Sequence, residues 1–186
     1  MAREYLRRML TPTVRAAQAH YYGRAYPHQG DAPQAERLGP DELAFVAARD
    51  SFYLATVTED GWPCVQHRGG PRGFLVATGP DELLFADYGG NRQLISAGSV
   101  QHEQRVSLLM VDYPSRTRLK LLGTAEVLDA REHPDLVERV FRVRVVASDW
   151  NCPKFLTERY TRREIAQLMR PLQLRIEELE AQLARR

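Results

Sequence analysis

Between Ser51 and Leu128 the chain is cut into short segments rich in β-branched and aromatic residues, separated by glycine- or proline-bearing turns. Phe52–Thr58 is followed by the turn signal Glu59-Asp60-Gly61. Trp62–Arg68, Gly73–Thr78 and Glu82–Asp87 come next, with Gly79-Pro80-Asp81 between the last two. Such residues suit a pleated, half-buried surface, and Asp-Gly is a hairpin signal. Arg105–Val111 is almost wholly apolar and reads as a strand covered on both faces. Arg116–Leu128 alternates, with Leu119, Leu121, Ala125 and Val127 on one face and Arg118, Lys120 and Glu126 on the other. Six strands with tight turns and few helices between them predict a mainly β fold, an antiparallel barrel rather than a parallel α/β sheet. The glycines supply the bends by which a small barrel closes.

The flanks read as helices. Residues 1–23 form a short helix ending near Gly23, with Tyr21 and Tyr22 packed onto the body. Residues 24–39 form a polar loop containing Pro27, Gly30, Pro33 and Gly39. Pro40 then opens a helix that runs to about Arg49 and buries Leu43, Phe45 and Val46; proline and acids suit a first helical turn. Asn91 to about Val100 and Pro134–Val145 read as helical, and Trp150–Pro153 as a loop. Thr161-Arg162-Arg163-Glu164 is a capping box that starts a final helix. Ile165, Leu168, Leu172, Ile176, Leu179 and Leu183 form a narrow apolar stripe along it, with a kink or break expected near Arg170 because of Pro171. That stripe either packs on its own domain or makes a coiled-coil or dimer contact. The organisation is therefore residues 1–39 as N-terminal helix and loop, 40–160 as the barrel, and 161–186 as the C-terminal helix.

The 186 residues suffice to bury a core without a disulfide or metal staple. A formal net charge of +2 argues against a dedicated nucleic-acid binder. Cys64 and Cys152 form no CxxC and read as free or buried thiols of a reducing compartment. No apolar run has the length of a signal peptide or a membrane span, so a soluble, cytoplasmic protein is expected.

The residues with chemical potential cluster between Asp60 and Arg92. Arg68 ends a strand and is followed by Gly69-Gly70-Pro71, where a guanidinium can grip a phosphate and glycines let a ligand approach backbone amides. Asn91-Arg92 falls where a strand gives way to a helix, a natural anion site, with Ser96 about a turn further on. The alternatives at these positions are a solvated arginine before an ordinary turn and a simple Asn91 N-cap. Tyr88 and Trp62 are candidate walls of a ring pocket, although a structural role suits Trp62 better because it follows a hairpin turn. His67 is the single histidine within the cluster, and a packing role suits it better than acid–base work. His20, His28, His102 and His133 are scattered and suggest no metal site. No GxSxG, P-loop, HExxH or GxGxxG pattern occurs. Reactivity would have to come from a cofactor.

The order and spacing of several short motifs resemble the pyridoxamine 5′-phosphate oxidase-like, FMN-binding split-barrel family. They are Ser51–Thr56, Asp60-Gly61-Trp62-Pro63, His67–Phe74, Phe85–Gln93, Arg105–Leu108 and Met110–Pro114, and Asp149–Pro153 is similar to a flavin-nucleotide-binding subgroup. The resemblance covers roughly Pro40 to Pro153. It implies a six-stranded antiparallel split β-barrel with flanking helices, a homodimer, and FMN in the groove between subunits. The implied cofactor-binding set is His67, Arg68, Gly69, Gly70, Tyr88, Asn91, Arg92, Gln93 and Ser96, with backbone amides of Gly69–Gly73, and with Trp150 and Asn151 approaching the flavin ring from the partner chain. The implied activity is that of a flavin oxidoreductase acting on a small molecule; the alternative is a non-catalytic carrier or sensor of FMN or haem. The stretch Val65–Pro71 departs from the Arg-x-x-Leu-Leu-Lys pattern of the vitamin B6 oxidases, and a charged helix stands where those enzymes have a site-closing C-terminal segment. Oxidation of pyridoxamine phosphate itself is therefore not implied.

Overall fold

The computed structural model describes residues 3–27, 29, 30, 36–130 and 137–185. These form two units, Met1–Val111 with Arg118–Cys152, and Asp112–Thr117 with Pro153–Arg186. His28, Pro33, His133 and Pro134 lie outside the described residues.

In the first unit, α1 (Arg3–Met9), α2 (Pro12–Tyr22) and α3 (Pro40–Ala47) precede the sheet. The strands are β1 (Ser51–Val57), β2 (Pro63–Gly69), β3 (Leu75–Gly79), β4 (Glu82–Tyr88), β5 (Arg105–Asp112), β6 (Thr117–Asp129) and β7 (Val137–Asn151), with α4 (Ile95–His102) before β5. They form one seven-stranded sheet in the order β2-β1-β5-β6-β7-β4-β3. The pairs β1–β2, β1–β5, β3–β4, β4–β7 and β6–β7 are antiparallel.

Three strands separate β1 from β4 in that order, yet Phe52 of β1 and Phe85 of β4 meet edge-to-face at 5.0 Å. The sheet is thus rolled around its own inner face, as a split barrel. Phe85 stacks on Phe141 at 4.7 Å and Phe52 on Phe74 at 5.9 Å. Leu54, Leu83, Leu108, Met110, Leu119 and Leu121 fill the rest of the inner face. Each side chain of this size contributes about 1.5–3 kcal/mol on burial, so the rolled sheet, more than its helices, carries the stability.

The mainly β antiparallel fold with flanking helices matches the sequence expectation, with four corrections. First, Val137–Val145 is not helical. It belongs to β7, a seventh strand of 15 residues that also takes in Trp150 and Asn151, which were expected in a loop. Phe141, Val143, Val145 and Ala147 point inward at a spacing of two. Second, the N-terminal segment is two helices, because Pro12 disfavours helical geometry at Thr11. Thr11 instead caps α2, whose C-cap Gly23 is left-handed at φ 72°. Tyr21 and Tyr22 are not packed; both are exposed. Third, β5 is covered on one face: Val106, Leu108 and Met110 are buried, whereas Ser107, Leu109 and Val111 are half-buried. Fourth, α4 starts at Ile95, four residues after Asn91. Left-handed φ values at Arg92 (59°) and Leu94 (55°) bar a helix there.

In the second unit, Arg116 pairs with Glu158 at 3.4 Å, and the Arg159 guanidinium lies over the Tyr113 ring. Its helix α5 (Arg162–Leu183) begins with the expected capping box: Thr161 Oγ1 accepts from the Glu164 amide, and Glu164 accepts from the Thr161 amide. The helix runs unbroken through Pro171 for 22 residues, and none of them is buried.

Candidate functional site

The β2 end, the β4 end and the β1 start converge on a groove of about 610 Å³. Asp50 and Ser51 contribute from the start of β1, His67 to Gly70 from β2, and Ala86 to Gly89 from β4. A narrower niche of about 70 Å³ shares Arg68, Asp87 and Tyr88 with the groove. It continues to Gly90, Asn91 and Arg92 of the β4–α4 loop and to Glu138 and Arg139 of β7.

Alternation along β2 sets what faces this site. Gln66 and Arg68 point to the β4 side, where Arg68 Nη1 donates to Asp87 Oδ1 at 2.6 Å and Nη2 to Gln66 Oε1 at 3.1 Å. The same Asp87, almost buried, accepts from Arg139 Nε through its other oxygen at 2.9 Å. Arg139 also reaches Glu138 at 2.8 Å. Burial works against the charge on Arg139, but its bonds to Asp87 and Glu138 together outweigh that and hold its pKa above the ordinary arginine value. Arg68 Nε is buried with no partner, a donor left over after the carboxylate is satisfied. The niche wall therefore carries three guanidinium groups, of Arg68, Arg92 and Arg139, against the two carboxylates of Asp87 and Glu138. The balance is positive, and the Arg92 side is open to solvent.

The loop before α4 holds its shape with few residues. Asn91 Oδ1 accepts from the Gln93 amide at 3.1 Å, an Asx turn rather than a helix cap. Non-glycine residues with φ near 60° on both sides of Gln93 store local strain, a feature that clusters at ligand sites. At the other wall the backbone is tight. A Cβ on Gly70 would lie 2.7 Å from the Tyr88 ring and 2.8 Å from Phe74 Cβ, so glycine there is what lets Tyr88 lie against the β2 end.

The structure brings His67, Arg68, Gly69, Gly70 and Tyr88 onto the groove, and Arg68, Tyr88, Asn91 and Arg92 onto the niche. Gln93 follows in the same loop but lines neither. Ser96 is fully buried, and its hydroxyl donates to Gln66 Oε1 at 2.6 Å. The Gly70 amide is also committed, donating to the Asp50 carbonyl at 3.1 Å. Trp62 is exposed and lines neither cavity. Trp150 and Asn151 lie elsewhere on the chain, at the end of β7: Trp150 Nε1 donates to Glu42 Oε1 at 2.5 Å, its ring meets Phe45 edge-on at 5.0 Å, and Asn151 pairs with Arg118 in the β6–β7 ladder. Asp87 and Arg139 were not anticipated as site residues. Asp87 sits inside the Phe85–Gln93 motif, and Arg139 was hidden by the helical reading of its segment.

Across the described residues no group of three or more His, Cys, Asp or Glu could hold a metal ion, and no described helix is long and apolar enough to cross a membrane. The sequence pattern of the family described as pyridoxamine 5′-phosphate oxidase matches residues 38–181. No curated protein matches the chain. Among solved structures, a variant of HupZ from Group A Streptococcus is similar with a TM-score of 0.50 at 12% identity, over 61% of this chain and 99% of that one. A putative pyridoxamine 5′-phosphate oxidase from Lactobacillus delbrueckii gives a TM-score of 0.49 at 22% identity, over 61% and 93%. HutZ, the haem storage protein of Vibrio cholerae, gives 0.41 at 17% identity, over 59% and 90%. At 12% identity the likeness to HupZ concerns the fold alone.

Proposed function

The chain belongs to the pyridoxamine 5′-phosphate oxidase family, and on that premise we propose that it binds FMN beside Arg68 and Arg92 and acts in the cytoplasm as a flavin-dependent oxidoreductase on a small molecule. The observation that carries this reading is the niche whose three guanidinium groups outnumber its two carboxylates and which shares a wall with a 610 Å³ groove. That volume lies within the ~300–1,000 Å³ typical of small-molecule sites. The donor set suits a phosphate monoester: an exposed arginine on a constrained loop, a second and third arginine pre-oriented by Asp87, and a buried Arg68 N–H without a partner.

In this reading Arg68, Arg92 and Arg139 hold the phosphate, Arg68 and Arg139 from the fixed poses that Asp87 imposes. Gly69, Gly70 and Tyr88 shape the adjoining wall. When bound, FMN would supply the redox chemistry of hydride transfer, which no side chain of this site supplies by itself. The residues of this chain orient it and favour its anionic reduced form through their charge. A homodimer is part of the proposal. Its support is the outward face of β1 and β2, where Tyr53 and Val65 stay 37% and 64% exposed, apolar surface of the kind a symmetric contact covers. In that dimer Trp150 and Asn151 are the residues that approach the flavin ring from the other subunit.

Titrating the purified protein with FMN tests the reading. Quenched flavin fluorescence, a higher melting temperature and a dimeric mass in solution are expected. Unquenched flavin and an unmoved melting temperature at saturation would rule it out.

His67 favours a second reading, a non-catalytic module for haem. Its imidazole lies on the outer face of β2 at the groove, edge-on to Tyr53 at 5.7 Å, and an accessible imidazole is a haem-iron ligand. A Soret band that shifts on adding hemin and is lost in His67→Ala would support it. Anaerobic bleaching of bound flavin by NADH or NADPH would instead point to the oxidoreductase, and bound flavin with no turnover across donors to a carrier.

A further inference from the structure

We propose that α5 pairs with the α5 of a second copy of this chain as a parallel, in-register two-stranded coiled coil. The exposed apolar residues of the helix fall on a strict heptad. Met169, Ile176 and Leu183 occupy one seam position, a, and Ile165, Leu172 and Leu179 the other, d, so the spacing is four, three, four, three, four. All six are 41–68% exposed on a continuous helix. A seam of this length without a cover is costly in water.

Charge complementarity identifies the cover. In this phase Arg175 takes position g and Glu180 position e, and in a parallel pair the g residue of one helix faces the e residue five positions on in the other. Arg175 of each copy therefore meets Glu180 of the other, twice by symmetry. An antiparallel pair sets g against g and e against e and has no such match. Within its own chain Arg175 reaches Glu178 at 2.9 Å, but both side chains are at least 60% exposed, and such a pair is worth little and readily exchanged. Ile at a with Leu at d, as in Ile176 and Leu179, also favours two strands. Pro171 falls at c, away from the seam, and does not interrupt the helix. Leu168 at g borders the seam; Leu174 at f lies outside it.

The test uses the full chain with Cys64→Ser and Cys152→Ser, so that every thiol is an introduced one. Ile176→Cys places two thiols together across a parallel seam; Glu177→Cys, one residue on, faces outward. Under mild oxidation by copper phenanthroline, which accepts the two electrons released as each disulfide forms, Ile176→Cys should yield covalent dimer at least tenfold faster than Glu177→Cys. Mixing Ile165→Cys with Leu183→Cys fixes the orientation, since a parallel pair links like with like. Arg175→Glu should slow the Ile176→Cys reaction, and adding Glu180→Arg should restore it. Equal rates at 176 and 177, or predominant links between 165 and 183, would overturn the proposal. None of these readouts depends on flavin.

Discussion

Arg68 Nη1 lies 2.6 Å from one oxygen of Asp87 while Arg139 Nε lies 2.9 Å from the other, so a single carboxylate on β4 fixes two guanidinium groups, one from β2 and one from β7. Both arginine side chains are about four-fifths buried, at 19% and 21% exposure. Removing one member of such a cluster leaves charge desolvated and uncompensated. Asp87→Asn should therefore cost about 2–4 kcal/mol, near the lower part of the range for broken buried pairs because some solvent reaches the arginines. A urea titration reads this. In combination with Arg68→Met the loss should be clearly less than additive, since the stranded cation is gone. Additive losses would mean that the two groups are not coupled.

Arg92 and Arg68 should separate in their effects. Each change to alanine is expected to weaken FMN binding by roughly 1.5–3 kcal/mol, the worth of charge-assisted bonds to a phosphate. Riboflavin, which lacks the phosphate, should bind both variants nearly as it binds the parent. Arg92 is exposed, so its loss should leave the melting temperature unchanged, whereas Arg68→Ala should lower it by disturbing Asp87. Isothermal titration with the two flavins, paired with thermal melts, measures all of this. Equal losses for FMN and riboflavin would refute phosphate recognition here.

How much of this was legible follows from which signals are local. β1 to β4 and β6 were readable because their turns and alternation sit within a few residues, as at Glu59-Asp60-Gly61, and β5 because its apolar run is itself local. β7 was not, because Val137, Val140, Phe141 and Val145 also fit helical spacing. Its strand identity comes from pairing with β6, the strand before it, and with β4, which is distant in sequence. Missing β7 meant missing Arg139. Arg68 and Arg92 could be picked out from neighbouring glycines, but Asp87, which decides where Arg68 points, is 19 residues away from it and joins it through the roll of the sheet. The start of α4 was misplaced because an Asn that makes an Asx turn and one that caps a helix look alike until the following φ is known.

Glu103 provides a pH reading at a separate place. Its carboxylate accepts from the Arg105 side chain and, at 2.9 Å, from the Arg105 amide. The side-chain bond leads, the backbone bond follows, and together they lower its pKa from 4.5 to about 2. A depressed carboxylate stabilises the folded state above its unfolded pKa and loses that contribution as pH falls through its folded one. The loss therefore falls between pH 4.5 and about 2. Following the Glu103 side chain by NMR should give a midpoint near 2 that moves back toward 4.5 in Arg105→Ala. High salt should shift it the same way, because the pair is on the surface. A midpoint unaffected by Arg105→Ala would show that the pair does not form.

Two glycines should respond to alanine with opposite signs. Gly123 lies where the β6–β7 register shifts, and a Cβ there would come within 2.7 Å of both the Arg144 carbonyl oxygen and Val143 Cγ1. The carbonyl is backbone in a paired strand and cannot move without breaking the ladder. Gly123→Ala should therefore destabilise by about 1–3 kcal/mol, the usual cost of overpacking. Gly98 is inside α4, and a Cβ there meets nothing within 4 Å. Gly98→Ala removes unfolded-state freedom at no steric cost, so it should stabilise by about 0.5–1 kcal/mol. Chemical denaturation of the two variants beside the parent gives both signs at once. A neutral Gly123→Ala would mean that the strands separate more easily at the bulge than their contacts imply, and a destabilising Gly98→Ala that this helix face is covered by something other than solvent.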